Sequence, residues 1–217
     1  MKNIILQYLN KDQGTAQVKI DLYEKAVKTV ERFANNVGWK YELSRTPAFK
    51  NYTGHWDIFK VLEKNDYDEY DRILFLDADV FIVDTDDNVF DKYKRFSACR
   101  EMDNPHPPSR PEYQRWQNEY FNSGIVLFTR KSIDTLREKC DPKEYRTKLR
   151  NVVPGRDQYA LNLMIEHALG GYRRIKREDA CFLREEYSKT TPVIHVAGRC
   201  RQIYNSNPEY YDKKFGV

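Results

Sequence analysis

The chain has 217 residues, enough for one substantial hydrophobic core or at most two small domains. Hydrophobic residues make up 40%, aromatics 14% and charged residues 32%, the balance of a soluble globular protein, and no stretch approaches the roughly 20 apolar residues of a membrane span. The net charge of +4, from 37 basic and 33 acidic residues, is too diffuse for a nucleic-acid surface and suits an anionic small molecule such as a nucleotide.

The N-terminal "MKNIILQYL" is too short for the apolar region of a signal peptide and lacks a small-residue cleavage site, so a cytoplasmic location is expected. Cys99, Cys140, Cys181 and Cys200 have no C-x-x-C spacing and are expected as free thiols. "KNIILQYL" reads as a first strand. From Ala16 to Val37, the apolar Val18, Leu22, Ala26, Val30, Phe33 and Val37 recur at helical steps, and Gly38 stands where a C-terminal cap belongs. "WKYEL" reads as a second strand, and "GHWDIFKVLEKN" as a second helix with Trp56, Phe59 and Leu62 on one face. "RILFLDADVFI" is the third strand, apolar on both faces and therefore central. This β-α-β-α-β order predicts an α/β sheet with parallel strands. Residues 101–119, with four prolines and no period, read as a long loop. "YFNSGIVLFTR" returns to strand character, "KSIDTLREKC" and "GRDQYALNLMIEHALGG" to helix, and "PVIHVAG" is a late short strand. With no repeat, low-complexity tract or linker, residues 1–217 are expected to form one domain.

Four constellations carry chemistry. Asp77 and Asp79 follow an apolar strand, where unpartnered carboxylates are costly, and the carboxyl end of such a strand is where α/β sheets bind ligands. Mg2+ or Mn2+ takes carboxylate oxygens and completes its shell with substrate phosphates, although an acidic turn after a strand would account for the same residues. His195, before Gly198 and Arg199, is either a hydrogen-bonded core histidine or a third ligand, and imidazole favours Mn2+ over Mg2+. Asn122, Ser123 and Gly124 open a strand; Asn and Ser suit sugar hydroxyls, and glycine lets a ligand approach the backbone. Asp157 and Gln158 begin a helix, where capping alone would explain an acid.

Together and in this order the four pieces resemble nucleotide-sugar glycosyltransferases of the GT-A fold, above all the retaining glycogenin/galactosyltransferase-like families. The matching segments are Asp77-Ala78-Asp79, Phe121-Asn122-Ser123-Gly124, Asp157-Gln158-Tyr159-Ala160-Leu161-Asn162 and His195-Val196-Ala197-Gly198-Arg199, and the resemblance runs over about residues 3–200. The compact chain looks most like a glycosyltransferase domain of a large algal virus. The resemblance implies a single Rossmann-like GT-A domain with a mixed, mainly parallel central sheet flanked by helices. Its donor-binding half would be about residues 1–100 and its acceptor-side half about 101–217. It further implies a UDP-sugar donor, a glycan or glycoprotein acceptor and Mn2+, with Mg2+ as the alternative ion. Asp77, Asp79 and His195 would be the metal ligands, with Asp77 and Ala78 also along the donor. Tyr8 and Asn10 would border the uridine, with Lys60 near the donor and Asn122, Ser123 and Gly198 lining its site. Arg199 would meet the pyrophosphate, in place of the family's usual lysine, and its planar fork is not a point charge. Asp157 and Gln158 would lie on the reacting face of the sugar. A single base of the kind an inverting enzyme needs is not evident, Glu101 and Asp103 being the candidates, so retention is expected.

A haloacid-dehalogenase-like Mg2+-dependent phosphatase also carries D-x-D after an apolar strand. It needs the motif at the first strand, whereas here it comes about 75 residues in and is followed by the apolar Val80-Phe81-Ile82-Val83. A calcium loop beginning at Asp84 fails, because its sixth and twelfth positions are Val89 and Arg95 rather than glycine and glutamate. The loop aromatics Tyr113, Trp116 and Tyr120 are candidates for stacking on an acceptor sugar.

Overall fold

A computed structural model describes residues 1–9, 17–49, 54–63, 66–83, 87–100, 120–149, 156–183 and 190–217. The strands are β1 (Asn3–Tyr8), β2 (Lys40–Ser44), β3 (Arg72–Asp77), β4 (Val80–Ile82), β5 (Ser97–Arg100), β6 (Phe121–Thr129), β7 (Arg173–Ile175), β8 (Ala180–Phe182) and β9 (Val193–His195). The α-helices are α1 (Gln17–Val37), α2 (Arg130–Lys139), α3 (Pro142–Leu149), α4 (Arg156–Leu169), α5 (Cys200–Ser206) and α6 (Pro208–Phe215).

The large sheet has the order β2-β1-β3-β6-β5-β7. β2, β1 and β3 run parallel, β6 is antiparallel to both β3 and β5, and β7 is parallel to β5. The expected mixed α/β architecture is present, with β3 in the middle. Its side chains alternate between two cores. Ile73 and Phe75 pack with Trp56, Phe59, Ile133, Leu161 and Met164 on one face. Leu74 and Leu76 pack with Val30, Phe33 and Ala34 of α1 on the other. That double burial is why the strand sequence shows no polar face. No helix among the described residues is long and apolar enough to cross a membrane.

Two sequence expectations change. "RILFLDADVFI" is two strands in two sheets, because the chain turns at Ala78 and Asp79 and continues as β4 in a three-stranded sheet of order β4-β9-β8. In β4, Val80 and Ile82 cover the large sheet while Phe81 joins Ile194, Tyr204 and Phe215 in a third apolar cluster. A continuous apolar run cannot register this bend, since both of its halves are fully buried. The segment Gly54–Leu62 is a 3-10 helix rather than an α-helix. Trp56, Phe59 and Leu62 repeat every three residues, the spacing that stacks side chains on a helix of three residues per turn.

Elsewhere the caps behave as read. Gly38 and Gly170 adopt positive φ of 68° and 70° just beyond α1 and α4. All four cysteines are free and buried. Asn10, Glu101, Asp103, Tyr113, Trp116 and the acids 84–86 lie outside the described residues. Tyr120 is buried against Tyr159 and Leu163 of α4 instead of facing outward.

Candidate active site

β1 and β3 end side by side, with Tyr8 opposite Asp77 in the register. The buried Gln7 ties this end down. Its Nε2 donates to the Asp77 carbonyl at 3.0 Å, and its Oε1 accepts from the Tyr41 hydroxyl at 2.8 Å. The turn that follows separates the two aspartates. The Asp77 side chain is 44% exposed, whereas that of Asp79 is only 4% exposed.

β9 delivers His195 to the same place. It pairs antiparallel with β4, Val80 opposite His195, and the Val196 N–H donates to the Asp79 carbonyl at 2.9 Å. The imidazole stacks on Phe182 with centroids 5.1 Å apart. His195 Nε2 lies 3.0 Å from Asp79 Oδ1 and 3.6 Å from Asp77 Oδ2. One ligand atom from each of these three residues lies within 4.8 Å of the others. Adjacent ligands of an octahedral ion with bonds of about 2.1 Å stand about 3 Å apart, so the spacing fits a small divalent cation. Two carboxylates with one imidazole form a donor set suited to a divalent cation.

Gly124 keeps the space open. A Cβ there would lie 2.3 Å from His195 Cε1, 2.6 Å from Asp77 Oδ2 and 2.9 Å from Asn122 Oδ1. The strand therefore carries glycine where it passes the prospective ligands, and Asn122 joins them at the same point.

The other oxygen of Asp79 is taken by an arginine that sequence reasoning missed. Arg201, on α5, donates to Asp79 Oδ2 from Nε at 3.1 Å and from Nη2 at 2.6 Å, with its guanidinium 5.8 Å from the Tyr23 ring centroid. Burial pushes the Asp79 carboxyl up, but His195 and Arg201 outweigh it and hold the group well below the usual carboxylate range. For Arg201, burial acts downward, and the Asp79 charge more than offsets it, raising its pKa. Arg199, the cation singled out from sequence, is exposed at the start of α5 and makes no side-chain capping bond there. The two arginines are two residues apart on a chain entering a helix, so no sequence pattern distinguishes them. Gly198 adopts φ 54° at this turn.

A second network joins β6 to α4. Gln158 Oε1 accepts from Asn122 Nδ2 and from the Ser123 N–H, both at 3.1 Å, and Asp157 Oδ2 accepts from Ser123 Oγ at 3.0 Å. Asn122 Oδ1 accepts from the Gly124 N–H at 2.8 Å. Buried Asn162 fastens the two elements: its Oδ1 accepts from the Phe121 N–H at 3.0 Å, and its Nδ2 donates to the carbonyls of Phe121 at 3.0 Å and Gln158 at 2.8 Å. Thus Asp77 and His195 meet at Gly124, and the Phe121–Gly124 segment is bound to the start of α4 through one hydrogen-bonded layer. Lys60 pairs with Asp66. Tyr8, whose hydroxyl lies 3.4 Å from that of Tyr67, has its pKa pushed up to about 12 by burial.

This fold, with acidic residues at the carboxyl edge of a central strand, is that of GT-A glycosyltransferases. A glycosyltransferase involved in the glycosylation of the major capsid of PBCV-1 superimposes with a TM-score of 0.66 at 13% identity, over 97% of this chain and 100% of that one. The galactosyltransferase LgtC, in complex with donor and acceptor sugar analogues, gives a TM-score of 0.53 at 16% identity over 97% and 99% of the two chains. The glycosyltransferase GlyE of Streptococcus pneumoniae TIGR4 gives 0.56 at 14% identity over 99% of this chain and 64% of that one. No protein-family model matches the chain, and no curated protein matches it in sequence.

Proposed function

We propose that the protein is a metal-dependent glycosyltransferase that moves a hexosyl group from a UDP-sugar to a glycan or glycoprotein acceptor, with retention of anomeric configuration. The observation that carries this reading is the convergence of Asp77, Asp79 and His195 at the ligand edge of a GT-A sheet. The likeness to an enzyme of viral capsid glycosylation supports a glycoprotein acceptor and a viral setting.

Asp77, Asp79 and His195 would hold Mn2+, which as a Lewis acid stabilises charge on the departing diphosphate. Tyr8 and Asn10 would border the uridine, with Lys60 and Ala78 along the donor. Arg199 and Gly198 form the turn that would face the pyrophosphate, Arg199 acting as a fixed cation. Asn122 and Ser123 orient Asp157 and Gln158 through the hydrogen bonds described above. Gln158, whose carboxamide oxygen accepts two N–H groups, would meet the sugar with its nitrogen. The Asp157 carboxylate would stabilise positive charge developing on the sugar ring or attack it as a transient nucleophile.

The test is thermal unfolding with UDP, with and without Mn2+, on the wild type and Asp79→Ala. A melting-point rise that needs both UDP and Mn2+ and vanishes in the variant is expected, because binding to the native state stabilises it by mass action. No shift in any combination removes the metal-bridged nucleotide site and redirects attention to phosphatase assays.

A further inference from the structure

The end of the large sheet opposite the candidate active site carries a recess of about 770 Å3. Thr129, on its wall, ends β6 opposite Arg72 at the start of β3, five residues along the strand from Gly124. At about 3.4 Å per residue, the recess stands about 17 Å from the prospective metal ligands.

Lys94, Arg95, Lys131 and Arg173 line this recess, and all four are exposed. Separate elements deliver them: Lys94 and Arg95 precede β5, Lys131 lies in the first turn of α2, and Arg173 begins β7. Among the described residues no Asp or Glu lines the recess, and none forms a salt bridge with any of the four. Asp91 and Asp134, three residues from Lys94 and Lys131, pair instead with Arg72 and Arg130. Protection of an open sheet edge accounts only for Arg173, since β7 is the edge strand. Helix capping accounts for none of them, because Thr129 and Ser132 already close the first turn of α2 as a capping box.

Four like charges around one recess repel one another, and an oxyanion offsets that repulsion. The Arg95 and Arg173 guanidinium groups suit forked contacts with phosphate or sulfate, and the two lysines act as point charges. Half-buried Leu169 and Tyr172 add an apolar wall. The volume lies in the range of small-ligand sites, about 300–1,000 Å3.

We propose that this recess is a second ligand site, separate from the candidate active site, for a small molecule or glycan unit carrying two or more phosphate or sulfate groups. The site depends neither on the metal cluster nor on the activity proposed above. At about 17 Å from Asp77 its ligand is held, not turned over. A free polyphosphate and the anionic groups of a glycan chain offer the same chemistry, and the experiment separates these two sources.

The experiment is calorimetric titration of the metal-free protein with inorganic tripolyphosphate, with sucrose octasulfate and with sucrose. It is run at about 0.15 M salt, where the Debye length is about 8 Å and diffuse attraction is weak. One or both anions should bind, and sucrose should not. Tighter binding of sucrose octasulfate assigns the site to an anionic glycan, and tighter binding of tripolyphosphate assigns it to a free polyphosphate. Arg95→Gln/Arg173→Gln and Lys94→Gln/Lys131→Gln should each weaken binding about tenfold, within the reach of two exposed ion pairs. The lysine pair guards against misfolding of the arginine pair, because Arg173 also sits 5.7 Å from the Tyr93 ring centroid. Lys28→Gln/Lys213→Gln removes as much charge from α1 and α6, outside the recess, and should keep the wild-type affinity. Absence of binding by both anions overturns the proposal. Binding that survives both recess variants also overturns it, since the anion then sits elsewhere. An equal loss in Lys28→Gln/Lys213→Gln overturns it as well, by reducing the effect to general attraction toward a positive protein.

Discussion

Replacing Gly124 with alanine puts one methyl group into the centre of the site. The added Cβ would meet His195 Cε1 at 2.3 Å, Asp77 Oδ2 at 2.6 Å and Asn122 Oδ1 at 2.9 Å, all closer than carbon atoms tolerate. Gly124 is not among the glycines with positive φ, so its backbone suits alanine and the conflict is wholly steric. Asp77 can swing toward solvent. His195 cannot, because it is 1% exposed, belongs to β9 and stacks on Phe182. Relief must come from a shift of β6 or β9, and forcing a methyl group into a packed site costs about 1–3 kcal/mol. For a chain of this size that is a fall in melting temperature of about 2–12 °C. Moving two prospective ligands should also weaken Mn2+ binding about ten- to a hundredfold, the usual effect of disturbing a metal's surroundings. Calorimetric unfolding and Mn2+ titration in the presence of UDP measure both. Gly38→Ala serves as the control: its Cβ meets nothing within 4 Å, but φ is 68°, so it should lose stability while keeping wild-type metal affinity. A Gly124→Ala protein with wild-type melting and metal affinity would refute the argument that glycine is there to clear the ligands.

Asn162→Ala removes two hydrogen bonds between β6 and α4 and a third within α4, and should destabilise the protein by about 1–3 kcal/mol in urea unfolding. A loss below about 0.5 kcal/mol would mean that the two elements do not depend on this side chain. Asp79, held below the usual carboxylate range in the folded protein, contributes stability that is present above its unfolded pKa of about 4 and is lost as pH falls toward the folded value. Melting in EDTA from pH 6 to pH 3 should therefore fall more steeply for the wild type than for Asp79→Asn, whose amide does not titrate; parallel slopes would contradict the assigned cause.

The sequence by itself determined the longer elements, among them β1, α1, β3, β6, α2 and α4, and the residue types. β3 is central because its apolar positions serve two faces, and α1 runs to Gly38 because its buried residues keep helical spacing. The four motifs point to strand ends and a helix start because Asp, Asn, His and Gly there have little structural reason to be together. Tertiary structure decided how they meet. The turn at Ala78 and Asp79 carries the chain into a second sheet, and β4, β8 and β9 are three-residue strands too short to carry a period. The pairing of β4 with β9 joins residues more than a hundred positions apart, as for Val80 and His195. Whether Arg199 or Arg201 reaches the aspartates depends on the direction in which α5 leaves β9, a property of packing that no local pattern records. Gly124 likewise looks like any strand glycine until β9 and β3 bring His195 and Asp77 against it.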